Sequence, residues 1–400
     1  MSLTTRRRLR DIYQLTDFEA ASRRYLPRAV YEYVRNGAGF EVSLRRNRAV
    51  FHRYLWKPYR LRDVSQVDPS VILFGERYAQ PFGLAPTGGA AMTCFDADKL
   101  EAAAAYRHGV FYALSANSLT PLEDIIRINP RTWFAAYLPS DTDIIDGMVD
   151  RVAAAGYNVL MVTIDVPVAA QRVAETRAGY TMPIRPKTRA ILGGLAHPGW
   201  TFGTMGRTIL RDRDPRIVNI RPHGGPGLFS SEIGAVGGSS RFTWDHVQRI
   251  RDRWRGKLVL KGILRAEDAA RAATLGVDGI GISDHGARLL DSTVSPLEVL
   301  GEIRRAAGDM TVLVDSGFRC GGDILKARAL GADAVMIGRP FLQACAVAGG
   351  AGIDRAVTIL SREIARDLAL LGLTSLPDLG PDLLSDVYTV PFASRDGDER

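Results

Sequence analysis

Ser283-Asp284-His285-Gly286-Ala287-Arg288 sets an imidazole and a guanidinium three positions apart, directly after the apolar run Gly279-Ile280-Gly281-Ile282. An imidazole titrates near neutrality and can take a proton from a carbon or a hydroxyl, while a guanidinium forks two charge-assisted hydrogen bonds onto a carboxylate. Together they suit a substrate that carries a carboxylate next to a removable proton. A surface histidine beside an exposed arginine would look the same in so short a stretch, so the rest of the chain has to decide.

Other polar residues also follow apolar runs. Asp315-Ser316-Gly317-Phe318-Arg319 and Ile337-Gly338-Arg339-Pro340 combine glycine, which lets backbone come close to a ligand, with guanidiniums that grip phosphate. The same residues would also serve a salt bridge from Asp315 to an arginine. Lys261 closes Leu258-Val259-Leu260, where an unpaired ammonium is costly to bury. It either faces an anion developing on a ligand or pairs internally, Asp315 being a candidate. Asp165 follows Val162-Thr163-Ile164 and can orient His285 and stabilise its protonated form, or act as a turn residue.

Segments so far apart meet only on a scaffold whose strand ends share one face. Short apolar runs alternate with helical stretches, and strands are expected over 82–86, 111–115, 133–138, 159–164, 257–261, 279–283, 311–315 and 334–338. Eight such units predict an α/β fold, a TIM (β/α)8 barrel, with its chemistry at the C-terminal strand ends. Thr87, Ser115, Tyr137, Thr163 with Asp165, Lys261, Ser283 with His285 and Arg288, Asp315 and Arg339 all fall at such ends. Two doubly wound domains would need a linker and a glycine-rich dinucleotide turn, and the sequence offers neither. Residues 1–80 read as an N-terminal helical lead-in packed on the barrel, 81–375 as the barrel, and 376–400 as a C-terminal tail. The interval 168–242, after strand four, is far longer than an ordinary βα loop, which marks it as functional or disordered.

The chain has 400 residues, 46% of them hydrophobic, enough for one large core. It has no run near the ~18 apolar residues of a membrane-spanning helix. Met1 to Ile12 is basic without an apolar stretch, so no secretory signal is expected. Cys94, Cys320 and Cys345 are isolated and lack metal-ligand spacing, which fits a reducing cytosol with no disulfide framework and no metal site. The formal charge is +8, and 185–221 alone holds eight basic residues against two acidic ones, a local excess of six. No nucleic-acid motif accompanies that charge, so nucleic acid is not an expected partner. Ile191, Leu192, Leu195, Trp200, Phe202, Met205, Ile209 and Leu210 interleave with it. This mixture suits an anionic membrane surface, and the glycines and prolines of the segment equally suit a lid.

The ordered set Pro86-Thr87-Gly88, Ser115, Tyr137, Thr163-Ile164-Asp165, Arg172, Lys261-Gly262, Ser283 to Arg288, Asp315 to Arg319 and Ile337 to Pro340 resembles the FMN-dependent 2-hydroxy acid oxidases and dehydrogenases. The likeness runs from about Asp17 to Leu383, and Ala196-His197-Pro198-Gly199-Trp200 resembles the bacterial mandelate and lactate dehydrogenase branch. The resemblance implies FMN as cofactor and oxidation of an (S)-2-hydroxy acid to the 2-oxo acid. It implies His285 as base with Asp165 as its partner, and Arg288, Arg172 and Tyr33 on the substrate carboxylate. Tyr137 would meet the substrate hydroxyl, and Lys261 the N1–C2 side of the flavin. Pro86, Thr87, Gly88, Ser115, Thr163 and Ser283 would line the ring and ribityl chain, and Asp315, Gly317, Arg319, Gly338 and Arg339 the ribityl and phosphate end.

Electrons would then pass to a quinone or another acceptor. Gly88 stands where mandelate-type dehydrogenases carry glycine and oxidases often carry alanine, leaving a peroxide-forming oxidase as the alternative within the enzyme class. A non-catalytic FMN- or phosphate-binding scaffold is the alternative outside it. The resemblance further implies a homo-oligomer, a tetramer in many relatives, and a cytoplasmic protein with peripheral contact at the inner membrane face through 185–221. The chain departs from the family pattern at Ala135 (usually Gln), Asp284 (usually Asn), Ala287 and Ser316 (usually Gly) and Gln171 (often basic). Asn117 occupies a place that is often large or aromatic, near the substrate side chain.

Overall fold

The computed structural model describes residues 3–185, 188–232 and 240–386. Eight parallel strands close into a barrel: β1 (Phe82–Leu84), β2 (Phe111–Ser115), β3 (Trp133–Ala136), β4 (Val159–Thr163), β5 (Lys257–Ile263), β6 (Gly279–Ile282), β7 (Thr311–Val314) and β8 (Ala334–Ile337). Sequence neighbours pair with one another, and β8 closes on β1 through Val335↔Phe82 and Ile337↔Leu84. This is the expected TIM barrel. β2 and β4 are buried along their whole length, because side chains fill the barrel inside and helices cover it outside. Their sequences are therefore continuous apolar runs rather than alternations.

Three features escaped the sequence reading. The Gly338-Arg339-Pro340 segment is not simply a turn: it starts the helix Arg339–Ala348, which precedes the long helix Gly350–Leu371. Proline is well placed there, since the first helical turn needs no N–H from it. The lead-in is helical only through Arg53, after which Tyr54–Trp56 pairs antiparallel with Leu384–Asp386 of the tail. A hairpin, Val71–Leu73 with Glu76–Tyr78, then caps the bottom of the barrel. Its Phe74 meets Trp133 edge-on at 5.4 Å, and Tyr78 Oη accepts from Trp133 Nε1 at 3.2 Å. Residues 387–400 of the tail lie outside the described residues.

The long insertion carries a series of short helices. Val173–Ala178 and Thr188–Ala196 are followed by Pro198–Trp200, which runs through a π-helical stretch, Thr201–Gly206, into Arg207–Asp212. Trp200 Nε1 donates to the Met92 carbonyl at 2.7 Å, tying the segment to the loop after β1. The returning strand of chain is held by buried Asn219, which accepts from Leu122 N at 3.0 Å and donates to the Thr120 carbonyl at 2.7 Å. Part of the basic charge is already paired: Arg211 bonds Asp96, from outside the segment, as well as Asp212, and Arg216 sits 2.6 Å from Asp214. These partners are set by the fold, so the charge count alone overstates the free positive surface. Lys187 and residues 233–239 of the insertion lie outside the described residues.

Between the helix Ala97–His108 and β2, the Asp98 carboxyl is buried and accepts from Ser118 Oγ at 2.7 Å. Burial pushes it up to about 6, above the ordinary aspartate range. A carboxyl raised in the folded state contributes stability at pH below its unfolded value, and that contribution is lost as pH rises through the folded value, here about 3 kcal/mol. Asp98→Asn cannot ionise, so the stability difference between wild type and variant, followed by urea unfolding, is expected to shift in favour of the variant between pH 4 and 7. A difference that does not change with pH contradicts this account.

Candidate active site

The C-terminal strand ends enclose a cavity of about 360 Å³. Tyr137, Lys261, His285 and Arg288 line one part of it, and Gly317, Arg319, Gly338 and Arg339 line another. Pro86, Thr87, Gly88, Asp315, Arg172 and Tyr33 complete its wall. Asp165, Ser115, Thr163 and Ser283 do not line it; they stand behind it at the ends of β4, β2 and β6.

His285 Nδ1 lies 2.9 Å from Asp165 Oδ1, and Nε2 lies 3.4 Å from Tyr137 Oη. Burial alone would raise the Asp165 carboxyl, but the charges of His285 and Lys261 outweigh it and hold it below its ordinary value. An ionised carboxylate only accepts, so whenever the ring is neutral Nδ1 carries its proton and Nε2 keeps its lone pair toward the cavity. Burial raises the Tyr137 phenol, which therefore stays protonated and able to donate. His285 and Ala287 have φ of 58° and 59°, so the loop after β6 is held in a conformation that side chains seldom adopt.

Lys261 is the buried cation among these groups. Its Nζ lies 3.0 Å from Asp315 Oδ2 and donates to Ser283 Oγ at 2.8 Å, while Ser283 donates to Asp315 Oδ1 at 2.7 Å. Burial would lower the ammonium, yet Asp315 and Asp165 together keep it raised. The internal ion pair is thus with Asp315, and the ammonium still lines the cavity. A bulge aims it: the β5–β6 register shifts between Lys261 and Ile263, and Gly262 takes φ +118°. A Cβ at Gly262 would sit 2.6 Å from Asp165 Cβ, so glycine also admits the carboxylate that orients the imidazole.

At the opposite part of the cavity, Arg319 and Arg339 lie with no direct salt-bridge partner among the described residues, Arg339 donating instead to the Val34, Asn36 and Gly286 carbonyls. Burial, with Arg288 and Arg319 nearby, pushes Arg339 down to about 9, and burial with Arg48 pushes Arg319 down to about 10. Guanidiniums ordinarily keep their proton far above this, so the cluster calls for an anion. Arg339 opens a helix of ten residues, whose N-terminal N–H groups favour an anion too. Gly317, at φ +90°, is confined to glycine because a Cβ would fall 2.1 Å from the Asn47 carbonyl. Buried Thr87 Oγ1, Asn117 Oδ1 and Thr163 Oγ1 have no hydrogen-bond partner among the described residues. Orphaned polar atoms, a cation between carboxylates and an anion cradle at the far end together fit FMN, a ring with polar edges on a phosphate tail.

Glu175 and Asn47 were not foreseen from sequence. Glu175 is buried between Arg172 and Arg288, accepting from each at 3.1 Å. Its position three residues after Arg172, on the same helical face, was the available signal. Burial raises its carboxyl despite both guanidiniums. Tyr33 donates its hydroxyl to the Gly88 carbonyl at 2.8 Å, and its ring lies under Arg288 at 4.8 Å. Two of the unusual residues answer each other: Ser316 Oγ donates to Asp284 Oδ1 at 2.5 Å, and Asn47 Nδ2 donates to Asp284 Oδ2 at 2.6 Å.

Residues 22–386 match the family model described as FMN-dependent dehydrogenase, and the chain belongs to that family. It is 36% identical over 376 residues to the L-lactate dehydrogenase of Ectopseudomonas mendocina, covering 92% of this chain and 97% of that one. It is 34% identical over 378 residues to the (S)-mandelate dehydrogenase of Pseudomonas putida, with 94% of each covered. Among solved structures it is similar to the monotopic membrane protein (S)-mandelate dehydrogenase, with a TM-score of 0.88, 34% identity, and 94% of this chain and 100% of that one covered. Its fold is also similar to that of a mandelate oxidase, with a TM-score of 0.77 and 32% identity over 93% of this chain and 98% of the other. Among the described residues, no helix is long and apolar enough to cross a membrane.

Removing one member of a buried ion pair leaves the other uncompensated. Lys261→Met is expected to destabilise the apoprotein by about 3–5 kcal/mol, and a further Asp315→Asn substitution to recover part of that loss. Urea unfolding of both variants tests this, and equal stability of wild type and Lys261→Met contradicts it.

Proposed function

We propose that this protein oxidises a small (S)-2-hydroxy acid to the 2-oxo acid with FMN. The observation that carries the reading is the Asp165–His285–Tyr137 chain facing the same cavity as Lys261, Arg288 and the arginine cradle. FMN, when bound, supplies the site that accepts two electrons from the substrate.

The protein's own groups do the rest. Arg288 and Arg172 hold the substrate carboxylate through bidentate contacts, and Glu175 keeps both guanidiniums aligned before substrate arrives. That anchoring fixes the α-carbon and its hydroxyl, converting an encounter into a positioned one. Nε2 of His285 takes the substrate proton, and Asp165 stabilises the imidazolium that results. Tyr137 donates to the substrate oxygen. Lys261 sets a positive charge where negative charge would accumulate on the reduced ring, Thr87 offers a polar atom to the ring and ribityl chain, and Ser283, Ser115 and Thr163 support that wall from behind. Arg319 and Arg339, with Asp315 and the Gly317 and Gly338 backbones, hold the ribityl-phosphate end.

The same reading assigns the insertion to a membrane surface. Leu195 and Phe202 are 72% and 74% exposed, and Leu192 and Leu210 are exposed beside them. Exposed apolar side chains on short helices, with arginines around them, suit the headgroup boundary of an anionic bilayer. A lipid-soluble quinone is then the acceptor within reach. An oxidase that hands electrons to oxygen is the second reading, favoured by the likeness to mandelate oxidase.

His285→Ala should keep its yellow FMN and lose flavin reduction by substrate by about 10²–10⁴-fold, measured by anaerobic stopped-flow over lactate, glycolate, mandelate and longer 2-hydroxy acids. Unchanged reduction refutes the base assignment. Leu195→Asp combined with Phe202→Asp should abolish co-flotation with phosphatidylglycerol vesicles at physiological salt while leaving flavin reduction intact. Equal flotation of the double variant excludes this face as the membrane contact.

A further inference from the structure

A second cavity, of about 450 Å³, lies between the insertion and the lead-in. That volume is in the ~300–1,000 Å³ range of small-molecule sites. Its lining is mainly apolar, with Val30, Met92, Ile184, Trp200 and Met205, and the exposed Arg28, Arg177 and Arg185 also border it. Two of its walls are the helical segments that carry the exposed Leu192, Leu195 and Phe202, since Gly193 and Met205 belong to both. The cavity is therefore continuous with the face proposed above to meet lipid.

Its other wall leads to the active site. Tyr180 lines it and stacks on Tyr33, with ring centroids 4.7 Å apart and planes at 22°. Tyr33 in turn lines the cavity that fits FMN. Two stacked rings thus form the partition between the two cavities. Burial raises the Tyr180 phenol, so its hydroxyl keeps its proton, yet the partner it has is the Met92 thioether at 3.7 Å. A thioether is a weak acceptor, and a carbonyl oxygen would serve that hydroxyl better.

We propose that this cavity binds the head of a lipid-soluble quinone, with Tyr180 Oη donating to one quinone carbonyl and the tail leaving between the insertion helices toward the bilayer. This rests on the reading of the protein as a 2-hydroxy acid dehydrogenase. A flat ring suits the aromatic and sulfur surfaces of Tyr180, Trp200 and Met92. A water-soluble acceptor has little to gain from that lining, and a lipid acyl chain would leave the Tyr180 hydroxyl with its thioether. In turnover the hydroxy acid loses two electrons and two protons, from its α-carbon and its hydroxyl, and becomes the 2-oxo acid. The quinone gains two electrons and two protons and leaves as the quinol.

The test uses detergent-solubilised holoenzyme and decylubiquinone as the probe. Equilibrium dialysis against the oxidised enzyme measures binding, and stopped-flow measures flavin reduction by 2-hydroxy acid and reoxidation by decylubiquinone or ferricyanide. Gly193→Trp fills the cavity from the insertion side, where the nearest contact of a Cβ is Pro27 at 3.8 Å. It is expected to raise the decylubiquinone Kd at least tenfold and to slow reoxidation by decylubiquinone in step, with flavin reduction and ferricyanide reoxidation unchanged. Tyr180→Phe removes a hydroxyl and keeps the ring, and is expected to raise the Kd roughly 2–10-fold, the effect of one hydrogen bond. Unaltered quinone binding in both variants overturns the proposal. So does a Gly193→Trp enzyme that loses vesicle flotation but binds decylubiquinone normally, which would assign the cavity to a lipid chain. If no 2-hydroxy acid reduces the wild-type flavin, the enzymatic reading fails, while the dialysis result still reports on the cavity.

Discussion

One buried ammonium governs the electrostatics of the site. Lys261 sits within reach of two carboxylates, Asp315 through direct contact and Asp165 through its field, and their charges keep it protonated against the cost of burial. In return it helps to keep Asp165 ionised. An ionised Asp165 can only accept, and this fixes the proton of His285 on Nδ1 and leaves Nε2 as the base. The tautomer of the imidazole is thus set by a carboxylate that His285 itself and Lys261 hold ionised, and that Gly262 admits by lacking a side chain.

The barrel makes this possible because β4, β5, β6 and β7 are adjacent and end together. Thr163 is in register with Lys261, and Val314 with Ile282, so the residues that follow these strands emerge side by side. The bulge at Lys261–Ile263 and the positive φ at His285, Ala287 and Ser316 then turn individual side chains into the cavity. Strained backbone concentrated in these loops is affordable where a closed, densely packed barrel holds both ends.

Much of this was legible in the sequence. Continuous apolar runs marked strands buried on both faces, and the polar residues that stop those runs marked the catalytic rim, so His285, Lys261, Asp165 and Asp315 could be nominated before any coordinates. Contacts made by chain far away in sequence were not legible. Glu175 lies in a polar stretch of the insertion and shows its purpose only when Arg288 arrives beside Arg172. Arg211 is neutralised by Asp96, more than a hundred residues earlier, which no local charge count reveals. The bottom hairpin is made of three-residue strands with exposed Glu76 and Arg77, too short to carry an alternation. The helix Arg339–Ala348 begins inside a Gly-Arg-Pro motif that also suits a turn. Asp284 and Ser316, each unusual alone, make sense as a hydrogen-bonded pair.

The protonation state of His285 is the most exposed point of this account. Nitrogen-15 chemical shifts of the imidazoles in labelled holoenzyme, with His285 assigned by comparison with a variant lacking it, report which ring nitrogen carries the proton. In its neutral form, His285 is expected to show a protonated Nδ1 and an unprotonated Nε2, and Asp165→Asn is expected to disturb that preference. A wild-type His285 protonated on Nε2, or one whose tautomer is indifferent to Asp165, would contradict the account at its centre.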